Sequence, residues 1–284
     1  MTLVSSTPLL KKARNEGYGV MSINVDNLEM IQAVIEAAEY SQSPIILQTT
    51  ESAINYLGLQ NMAAIVKNEA FKKTIPVALH LDHGQNYNLA MQCLKEGYSS
   101  IMIDASDYSF KENVKKTKEV VQVANALGVN VEAELGRVGG VEDAIKVDEK
   151  DTFLAHPDDC KKFVDLTGVS SLAPAIGTAH GFYQSEPDID FSRIEKIASL
   201  VDVPLVLHGG TGIPEKQIQK AISIGMSKIN LGTQVKHSFF NSVKNFSNEN
   251  PNTNDIRKSL SKAKKDLKDI IINKIEMVGS KGKA

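Results

Sequence analysis

The amino-acid sequence predicts an α/β protein whose 284 residues form a single-domain (β/α)₈ TIM barrel. Short apolar runs alternate with amphipathic segments eight times, at a spacing of roughly thirty residues that suits this architecture. The runs are continuously apolar, as in parallel strands that are covered on both faces. No stretch rich in Pro, Gly or Ser divides the chain. A doubly wound open sheet is the competing architecture.

The eight apolar runs are the predicted strands. In chain order they are 18–25 (YGVMSINV), 44–50 (PIILQTT), 76–83 (PVALHLDH), 99–105 (SSIMIDA), 130–135 (NVEAEL), 170–177 (SSLAPAIG), 203–208 (VPLVLH) and 228–232 (KINLG). Segments such as 27–41 and 113–128 supply the intervening helices, because their apolar residues recur at helical spacing. Residues from about 236 to 284 are expected to form a helical extension of the same domain, with the lysines of 261–274 facing solvent.

Composition and charge restrict the classes of partner. Basic and acidic residues nearly balance, 32 against 34, so no broad electrostatic feature favours nucleic acid or an anionic membrane. The only cysteines, Cys93 and Cys160, are far apart in sequence, so no disulfide framework is expected. The first residues lack the apolar run of a signal peptide, and no segment is long and apolar enough to span a bilayer. We therefore expect a cytoplasmic protein.

Polar residues occur where the predicted strands end. In a barrel the carboxyl ends of all strands meet at one mouth, so these residues converge although they are distant in sequence. They are Asp82, His83, Asp104, Glu134, His180, His208 and Asn230. This convergence predicts a functional site at the mouth.

Three of these residues, His83, His180 and His208, can supply the open coordination shell of a catalytic zinc ion. Each alone is better explained as a hydrogen-bonded structural histidine, and only their equivalent placement on three strands favours a metal. His80 lies deeper in its strand, so it is expected to support the site or belong to the core. No metal role is predicted for the two remaining histidines, His156 and His237.

Asp82 and His83 are neighbours, so in a regular strand their side chains would point to opposite faces. Gly84 and the turn after it can release that alternation and let both side chains face the mouth. A carboxylate beside a metal ion suits proton transfer to or from a substrate hydroxyl. The alternative for Asp82 is a turn residue or a helix N-cap.

The segment HGGTGIPEKQIQKAI (208–222) has the pattern of a strand end, a Gly-rich turn and a helix. Backbone amides of Gly209, Gly210 and Thr211, close to a helix N-terminus, can bind a phosphate group. Barrels often bind phosphate at the loops after the seventh and eighth strands, where this turn and NLGT (230–233) fall. The sequence therefore predicts a phosphorylated substrate.

The loop LGRVGGVEDA (135–144) follows the fifth strand and contains three glycines that can act as hinges. Glu142 in this loop can close over a bound substrate as a proton-transfer group, although a solvated loop glutamate is the alternative. Asp104 and Glu134 can form a second metal position or orient the first, or they are buried strand-end carboxylates. Lys228 begins the eighth strand, at the wrong end for the mouth, so carbonyl chemistry would depend on metal polarisation rather than on an iminium.

Six motifs taken together resemble the class II, zinc-dependent ketose-bisphosphate aldolases. They are HLDHG, MIDAS, VEAELG, AIGTAHG, LHGGTGIP and KINLGT, and the likeness runs from LLKKARNEGYGV to the C-terminal INKIEMVGSKGKA. The resemblance implies a (β/α)₈ barrel that reversibly cleaves a ketohexose bisphosphate into dihydroxyacetone phosphate and glyceraldehyde 3-phosphate. It also implies a homodimer or homotetramer, a zinc cofactor with a second metal position, and an activating monovalent cation.

The resemblance assigns a role to each matching residue. His83, His180 and His208 match the zinc ligands, Asp104 and Glu134 match the carboxylates of the second metal position, Asp82 matches the acid/base at the C4 hydroxyl, and Glu142 matches the mobile-loop proton acceptor. The matches to the dihydroxyacetone-phosphate site are Gly181, Gly209, Gly210, Thr211, Asn230, Leu231, Gly232 and Thr233. Thr50 matches a Ser or Thr near the aldehyde half, and Arg257 matches an arginine that meets the far phosphate. Two departures are Ile256, where the family usually has Pro, and Asp107, where close relatives often have His and which is given no ligand role.

The substrate is expected to be fructose 1,6-bisphosphate, because HGGTGIP and HLDHG are closer to that branch of the family. The C4 epimer, tagatose 1,6-bisphosphate, stays an alternative, since GRVGGVED and Thr50 are shared with the tagatose enzymes. A non-catalytic barrel that stabilises an aldolase is a second alternative, which the presence of Asp82 and all three histidines disfavours. A third is a metal-dependent barrel epimerase acting on a phosphorylated sugar, which the Gly-rich turn would suit equally well.

Overall fold

The computed structural model of the chain describes residues 3–142, 145–147 and 153–284, and the side chains at 141, 142 and 145–147 are outside this description. The described strands are β1 Val20–Asn24, β2 Ile45–Thr49, β3 Val77–Gly84, β4 Ser100–Ile103, β5 Asn130–Leu135, β6 Gly139–Glu142, β7 Ile145–Val147, β8 Ser171–Pro174, β9 Ala179–His180, β10 Leu205–Leu207 and β11 Met226–Leu231. The described helices are α1 Ser6–Glu16, α2 Leu28–Tyr40, α3 Glu51–Leu57, α4 Leu59–Phe71, α5 Tyr87–Lys95, α6 Phe110–Ala126, α7 Pro157–Thr167, α8 Phe191–Leu200, α9 Glu215–Ser223, α10 Thr233–Glu249 and α11 Ile256–Met277.

Eight of these strands close into a barrel in the order β1-β11-β10-β8-β5-β4-β3-β2. All eight neighbouring pairs are parallel, and the strands adjacent in space are also successive in the chain. Every residue of the barrel strands is buried, which explains why the sequence showed continuous apolar runs rather than alternation. The predicted single-domain (β/α)₈ barrel is confirmed, and each predicted strand overlaps an observed one.

The end of the barrel where the strands begin is here called the floor, and the opposite end is called the mouth. Helix α1 lies against the floor. Just before this helix, Val4 N donates to Val77 O (2.9 Å) at the start of β3. Within it, Ser6 Oγ donates to Ser100 Oγ (3.0 Å) at the start of β4. Leu10, Ala13 and Val20 belong to a separate apolar cluster that fills this end.

After β11 the chain continues as α10 and α11. The buried residues Ala263, Leu267, Ile271 and Ile275 recur at helical spacing in α11, which packs against α2 and α10. The lysines of this helix lie toward solvent; Lys264, for example, forms an ion pair with Glu36 (Nζ–Oε1 3.0 Å). Among the described residues, no helix combines the length and apolar character needed to cross a membrane.

A small sheet of β7, β6 and β9 lies in the connections that follow β5 and β8. Gly139 and Gly140, expected to act as hinges, instead pair in parallel with Ala179 and His180. Gly140 has φ +96°, and a Cβ there would lie 2.1 Å from His180 O, so only glycine allows this approach. The loop after β5 is therefore attached to the backbone that carries His180.

Candidate active site

The HLDHG segment ends β3 and departs from regular strand geometry at His83. Leu81 pairs with Ile101 and Gly84 with Ile103, so β3 holds two residues where β4 holds one. His83 has φ +47°, a left-handed conformation that is uncommon for a residue other than glycine. This bulge allows Asp82 and His83 to approach the same site although they are neighbours. The alternation is released at His83 itself, one residue before Gly84, where it was expected.

The three histidines predicted as metal ligands come together at the mouth. They lie in β3, in β9 and directly after β10, and one ring nitrogen from each lies within 4.8 Å of the others. The ring centroids of His83 are 5.0 Å from His180 and 4.7 Å from His208. Convergence from three parts of the chain gives a compact set of nitrogen donors.

Two of the histidine rings are held in place by carboxylates. His83 Nδ1 lies 2.7 Å from Asp104 Oδ2, and His208 Nε2 lies 3.0 Å from Glu132 Oε1. Burial raises the pKa of Asp104, but the hydrogen bond and charge of His83 more than offset this and hold the pKa well below its usual range. Burial lowers the pKa of His208, which favours the neutral imidazole that a metal requires.

The arrangement fits a zinc ion. His208 Nδ1 is buried with no hydrogen-bond partner among the described residues, and it lies 3.5 Å from Glu134 Oε2. A buried ring nitrogen in this state needs a partner, and a metal ion would supply it. Three imidazoles with an open fourth position are a typical catalytic zinc set, and carboxylates behind the ligands fix the orientation of the rings.

A second possible metal group shares His83 with the first. His83, Asp104 and Glu134 also bring ligand atoms within 4.8 Å of one another. Asp104 uses Oδ2 for His83, and its Oδ1 accepts from Ser106 N (3.1 Å). Glu134 Oε1 accepts from Val138 N (3.2 Å). These contacts orient the two carboxylates toward His83 and the cavity beside it.

Asp82 is fully buried, and its carboxylate is held by amide side chains from β1, β2 and β11. Oδ2 accepts from Asn24 Nδ2 and from Gln48 Nε2, both at 2.9 Å, while Oδ1 lies 3.4 Å from Asn230 Nδ2. Ser22 Oγ donates in turn to Gln48 Oε1. Sequence reasoning missed Asn24 and Gln48, although a polar residue within an otherwise apolar strand was the available signal.

The Gly-rich turn after β10 packs against the end of β11 and the start of α10. Gly209 has φ +69°, and a Cβ on it would lie 2.3 Å from Ala179 O. Gly210 N donates to Asn230 O (3.2 Å), so this amide, one of three expected to bind phosphate, is used within the protein. The neighbouring Thr211 is buried, and its Oγ1 accepts from Gln234 N (3.2 Å).

Residues 230–233 complete this side of the mouth. Asn230 and Leu231 end β11, Gly232 is the N-cap of α10, and Thr233 begins that helix. Gly181 follows His180 directly with φ +95°. The predicted phosphate-binding residues therefore lie together beside a helix N-terminus.

Tyr183 connects the Gly-rich turn after β10 to the strand that carries His180. Its hydroxyl accepts from Ala179 N (2.8 Å) and donates to Gly209 O (2.9 Å). Burial raises the pKa of Tyr183 to about 12, so the hydroxyl keeps its proton at neutral pH. This residue had no distinguishing pattern in the sequence.

A cavity of about 330 Å³ opens beside the histidines and is lined by His83, Asp104, Glu134 and His180. Arg137 and Asp107 also line it and form an ion pair (Nε–Oδ1 2.8 Å). Asp107, the residue that departs from the family pattern, thus has a cationic partner at the cavity. Sequence reasoning gave Arg137 no role.

Three further predicted residues are not among the described cavity lining and ligand groups. Thr50 is the buried N-cap of α3, with Oγ1 accepting from Ala53 N (3.4 Å). The Arg257 side chain is 86% exposed and pairs with Asp255 (Nε–Oδ1 2.9 Å), so it is not brought to the cavity. Glu142 ends β6, but its side chain lies outside the described part of the chain.

The histidines given no metal role are also placed. His80 is buried inside the barrel, with Nδ1 2.8 Å from Ser100 Oγ. His156 and His237 lie outside the ligand groups; His156 approaches Asp158 (3.9 Å) and His237 approaches Asn241 (3.1 Å). Lys228, expected to begin its strand, is the third residue of β11, which starts at Met226.

The chain is similar to known proteins over almost its whole length. The model of the family "Fructose-bisphosphate aldolase class-II" matches residues 4–283. The fructose-bisphosphate aldolase of Thermus caldophilus is 42% identical over an alignment of 307 positions, which covers 99% of this chain and 100% of the relative. The enzyme of the same name from Geobacillus stearothermophilus is 44% identical over 287 positions, covering 100% of this chain and 99% of the relative.

A solved structure extends the likeness to three dimensions. The YdjI aldolase of Escherichia coli K12 superposes with a TM-score of 0.89 at 35% identity, covering 99% of both chains. A family match over almost the whole chain, relatives above 40% identity and the converging histidines of the mouth lead to one assignment. This chain belongs to the class II fructose-bisphosphate aldolase family.

Proposed function

We propose that this protein catalyses the reversible, zinc-dependent aldol cleavage of fructose 1,6-bisphosphate to dihydroxyacetone phosphate and glyceraldehyde 3-phosphate. The observation that carries the proposal is the convergence of three imidazoles, with ligand nitrogens within 4.8 Å of one another, beside the buried carboxylate of Asp82. Nitrogen donors with an open position suit zinc, and an adjacent carboxylate suits proton transfer.

His83, His180 and His208 would hold the zinc ion. Bound there, zinc supplies a Lewis acid for the C2 carbonyl of the sugar. Asp104 and Glu132 fix the rings of His83 and His208 through their second nitrogens, so two of the three ligands are oriented before the metal binds. The second metal position at Asp104 and Glu134 and an activating monovalent cation stay predictions.

Asp82 accepts the proton of the C4 hydroxyl as the C3–C4 bond breaks. Asn24 and Gln48 donate to Oδ2, which leaves Oδ1 as the oxygen with the longer contact and the better placed to take the proton. Glu142 is proposed to deliver the proton that completes dihydroxyacetone phosphate. A carboxylate fixed by two amide donors loses little further freedom when substrate binds.

The two phosphate groups are proposed to bind different sets of residues. Gly181, the 209–211 turn and residues 230–233 receive the phosphate of the dihydroxyacetone half, with Thr50 near the aldehyde half and Arg257 at the far phosphate. The helix N-terminus of α10 supports the first of these roles, because its dipole favours an anion. A homodimer or homotetramer in the cytoplasm stays the expected state of the enzyme.

The test measures release of triose phosphate after complete removal of metal by a chelator. We expect cleavage to disappear, zinc to restore it, and borohydride added with substrate to have no effect, because no lysine forms an iminium. Activity that survives metal removal, or inactivation by borohydride, would contradict the proposal. Fructose and tagatose bisphosphates assayed side by side decide between the two epimers, and absence of cleavage of both by the zinc-loaded protein would favour a non-catalytic barrel.

A further inference from the structure

A line of buried charged groups runs inside the barrel beneath the metal histidines. Lys228 Nζ lies 2.8 Å from Glu132 Oε2 and 3.2 Å from His80 Nε2, and Glu132 Oε1 lies 3.0 Å from His208 Nε2. Lys228 is 1% exposed and Glu132 2% exposed. Burying a lysine this deeply is costly unless its charge is paired, so its presence calls for a specific role.

Among the described residues, the hydrogen bonds of Lys228 give it no direct part in the chemistry. It is absent from the residues that line the cavity at the mouth, and its hydrogen bonds are made inside the barrel. The two oxygens of Glu132 are divided, one facing Lys228 and the other facing His208. Glu132 therefore connects the buried cation to a metal ligand.

The donors and acceptors of this line can be assigned by elimination. An ammonium group has three donors and no acceptor, and an ionised carboxylate has only acceptors. Glu132 Oε2 lies 2.8 Å from the Lys228 ammonium group, so this geometry makes the Glu132 carboxylate an acceptor at both of its oxygens. His208 Nε2 must then carry the proton that it donates to Glu132, which leaves a lone pair on Nδ1 for the metal.

The same elimination fixes His80. Because Lys228 can only donate, His80 Nε2 accepts, and its Nδ1 carries the proton that is donated to Ser100 Oγ. Ser100 also accepts from Ser6 Oγ at the floor. Each hydrogen bond in the series from Ser6 to His208 then has a defined direction. Lys228 lies in the middle of this series and donates to both of its neighbours, His80 and Glu132.

We propose that Lys228 is a positioning residue for the metal centre, which acts through Glu132 to hold His208 in the tautomer and orientation that present Nδ1 as a zinc ligand. The inference rests on the proposed zinc enzyme and adds a residue that lies outside both possible ligand groups and outside the cavity lining. Without the ammonium group, Glu132 loses both its counter-charge and the donor that fixes Oε2. The carboxylate then no longer holds the imidazole ring in a single orientation.

A pair of variants and their combination test this coupling through zinc affinity, measured by competition with a chromophoric chelator. Lys228→Met should weaken zinc binding by about 10- to 100-fold, the loss typical of residues that orient a metal ligand. Glu132→Gln should also weaken it, because one amide oxygen cannot accept from both Lys228 and His208. The double variant should bind zinc more tightly than either single variant, since the neutral amide at position 132 can then accept from His208 without facing a lysine.

The visible absorption of the cobalt(II) form reports the ligand set independently of activity. We expect an altered spectrum in both single variants and a spectrum close to that of the wild type in the double variant. Arg14→Met, which removes a half-buried cation at the floor, is the control for a general loss of stability and should leave the spectrum unchanged. Additive losses of zinc affinity in the double variant would overturn the proposal, because they would indicate packing rather than charge and tautomer.

A measurement on the unaltered protein covers the case in which the variants do not fold. Long-range ¹H–¹⁵N NMR of the metal-free protein should show His208 protonated on Nε2 and His80 protonated on Nδ1. Protonation of His208 on Nδ1 would overturn the proposal. A protein that shows these tautomers and binds zinc but cleaves no sugar bisphosphate would contradict the proposed function and leave this inference in place.

Discussion

The two ends of the barrel both bury polar side chains, but these side chains find different partners. At the floor, Arg14 donates to Val203 O (2.7 Å), Ala198 O (2.7 Å) and Val201 O (2.8 Å), so that the end of α8 and the approach to β10 are tied to α1. At the mouth, His208 Nδ1 has no hydrogen-bond partner among the described residues. At the floor, these Arg14 donors bind carbonyl groups of the same chain. At the mouth, His208 Nδ1 stays available as an acceptor for a bound ligand.

This difference indicates that polar groups at the floor contribute to stability, while those at the mouth contribute to ligand binding and chemistry. A cation that donates to three backbone carbonyls of its own chain contributes to the free energy of unfolding. A buried ring nitrogen that lacks a partner costs stability and is retained where a ligand supplies the missing contact. Substitutions at the mouth should therefore reduce activity or metal binding, while those at the floor should reduce stability alone.

Asp82→Asn is the substitution at the mouth with the largest expected effect. The amide keeps the shape of the side chain and an oxygen that accepts from Asn24 and Gln48, but it cannot take the C4 proton. We expect kcat to fall by about 10²- to 10⁴-fold, the usual contribution of a general acid or base. Steady-state kinetics with fructose 1,6-bisphosphate measure this loss.

Zinc content and thermal unfolding of the same variant provide the control. Both should stay close to those of the wild type, because Asp82 is not among the grouped ligand atoms. If Asp82→Asn instead lost zinc and unfolded at a much lower temperature, Asp82 would be a structural residue of the barrel, and its role in proton transfer would be wrong.

Gly84→Ala tests the bulge that brings Asp82 and His83 together. A Cβ at this position would lie 2.5 Å from Met102 O and 2.7 Å from the Leu81 side chain, so the backbone of β3 must move. We expect a loss of about 1–3 kcal/mol in the free energy of unfolding from overpacking. Because His83 is the preceding residue, we also expect weaker zinc binding, measured by chelator competition.

Gly128→Ala is the matched control at the other end of the barrel. Gly128 has φ +69°, and no atom lies within 4 Å of the place that a Cβ would take, so alanine meets only the left-handed backbone. That conformation costs about 1–2 kcal/mol for a residue with a Cβ. We expect the two variants to lose similar stability and only Gly84→Ala to bind zinc more weakly. Equal zinc affinity in both variants would show that the bulge does not position His83.

Arg14→Met tests the floor. Three hydrogen bonds from a half-buried guanidinium are lost, and three carbonyl groups lose a donor. We expect a decrease of about 2 kcal/mol in the free energy of unfolding, allowing for the solvent that reaches this side chain. Urea denaturation measures this change, and kcat/KM should be unaltered. A large loss of activity without a loss of stability would mean that the floor is coupled to the mouth.

The sequence predicted the barrel because its strongest signals are local. Strands buried on both faces appear as continuous apolar runs, and their regular spacing limits the architectures available. The small sheet was not predictable in the same way. β9 has only two residues, and its pairing with β6 depends on Gly140 approaching His180, which no local pattern encodes.

The site likewise has features that the sequence predicted and features that it did not. The convergence of His83, His180 and His208 followed from topology alone, since the ends of parallel strands meet. The partners behind them did not, because Glu132 and Lys228 are three barrel strands apart in chain order and only their distance across the interior joins them. The strand alternation was expected to be released at Gly84 and the turn after it, and the fold instead places His83 in a left-handed conformation.

Arg257→Ala has the smallest expected effect and tests a residue at the rim of the mouth. The arginine is exposed and bonded to Asp255 within its own helix cap, so the substitution should leave stability unchanged. If the predicted contact with the far phosphate forms when substrate binds, KM for the bisphosphate should rise several-fold while kcat changes little. Kinetics at low and high ionic strength measure this, because an exposed charge is screened by salt.

Asp255→Asn separates the two roles open to Arg257. This change releases the guanidinium from its partner without removing it, so a phosphate-binding arginine should keep or lower the KM of the wild type. An unchanged KM in Arg257→Ala would instead show that Arg257 does not contact the far phosphate. Arg137, the cation that lines the cavity beside Asp107, would then be the next residue to test by the same kinetics, because it already lies beside the metal ligands.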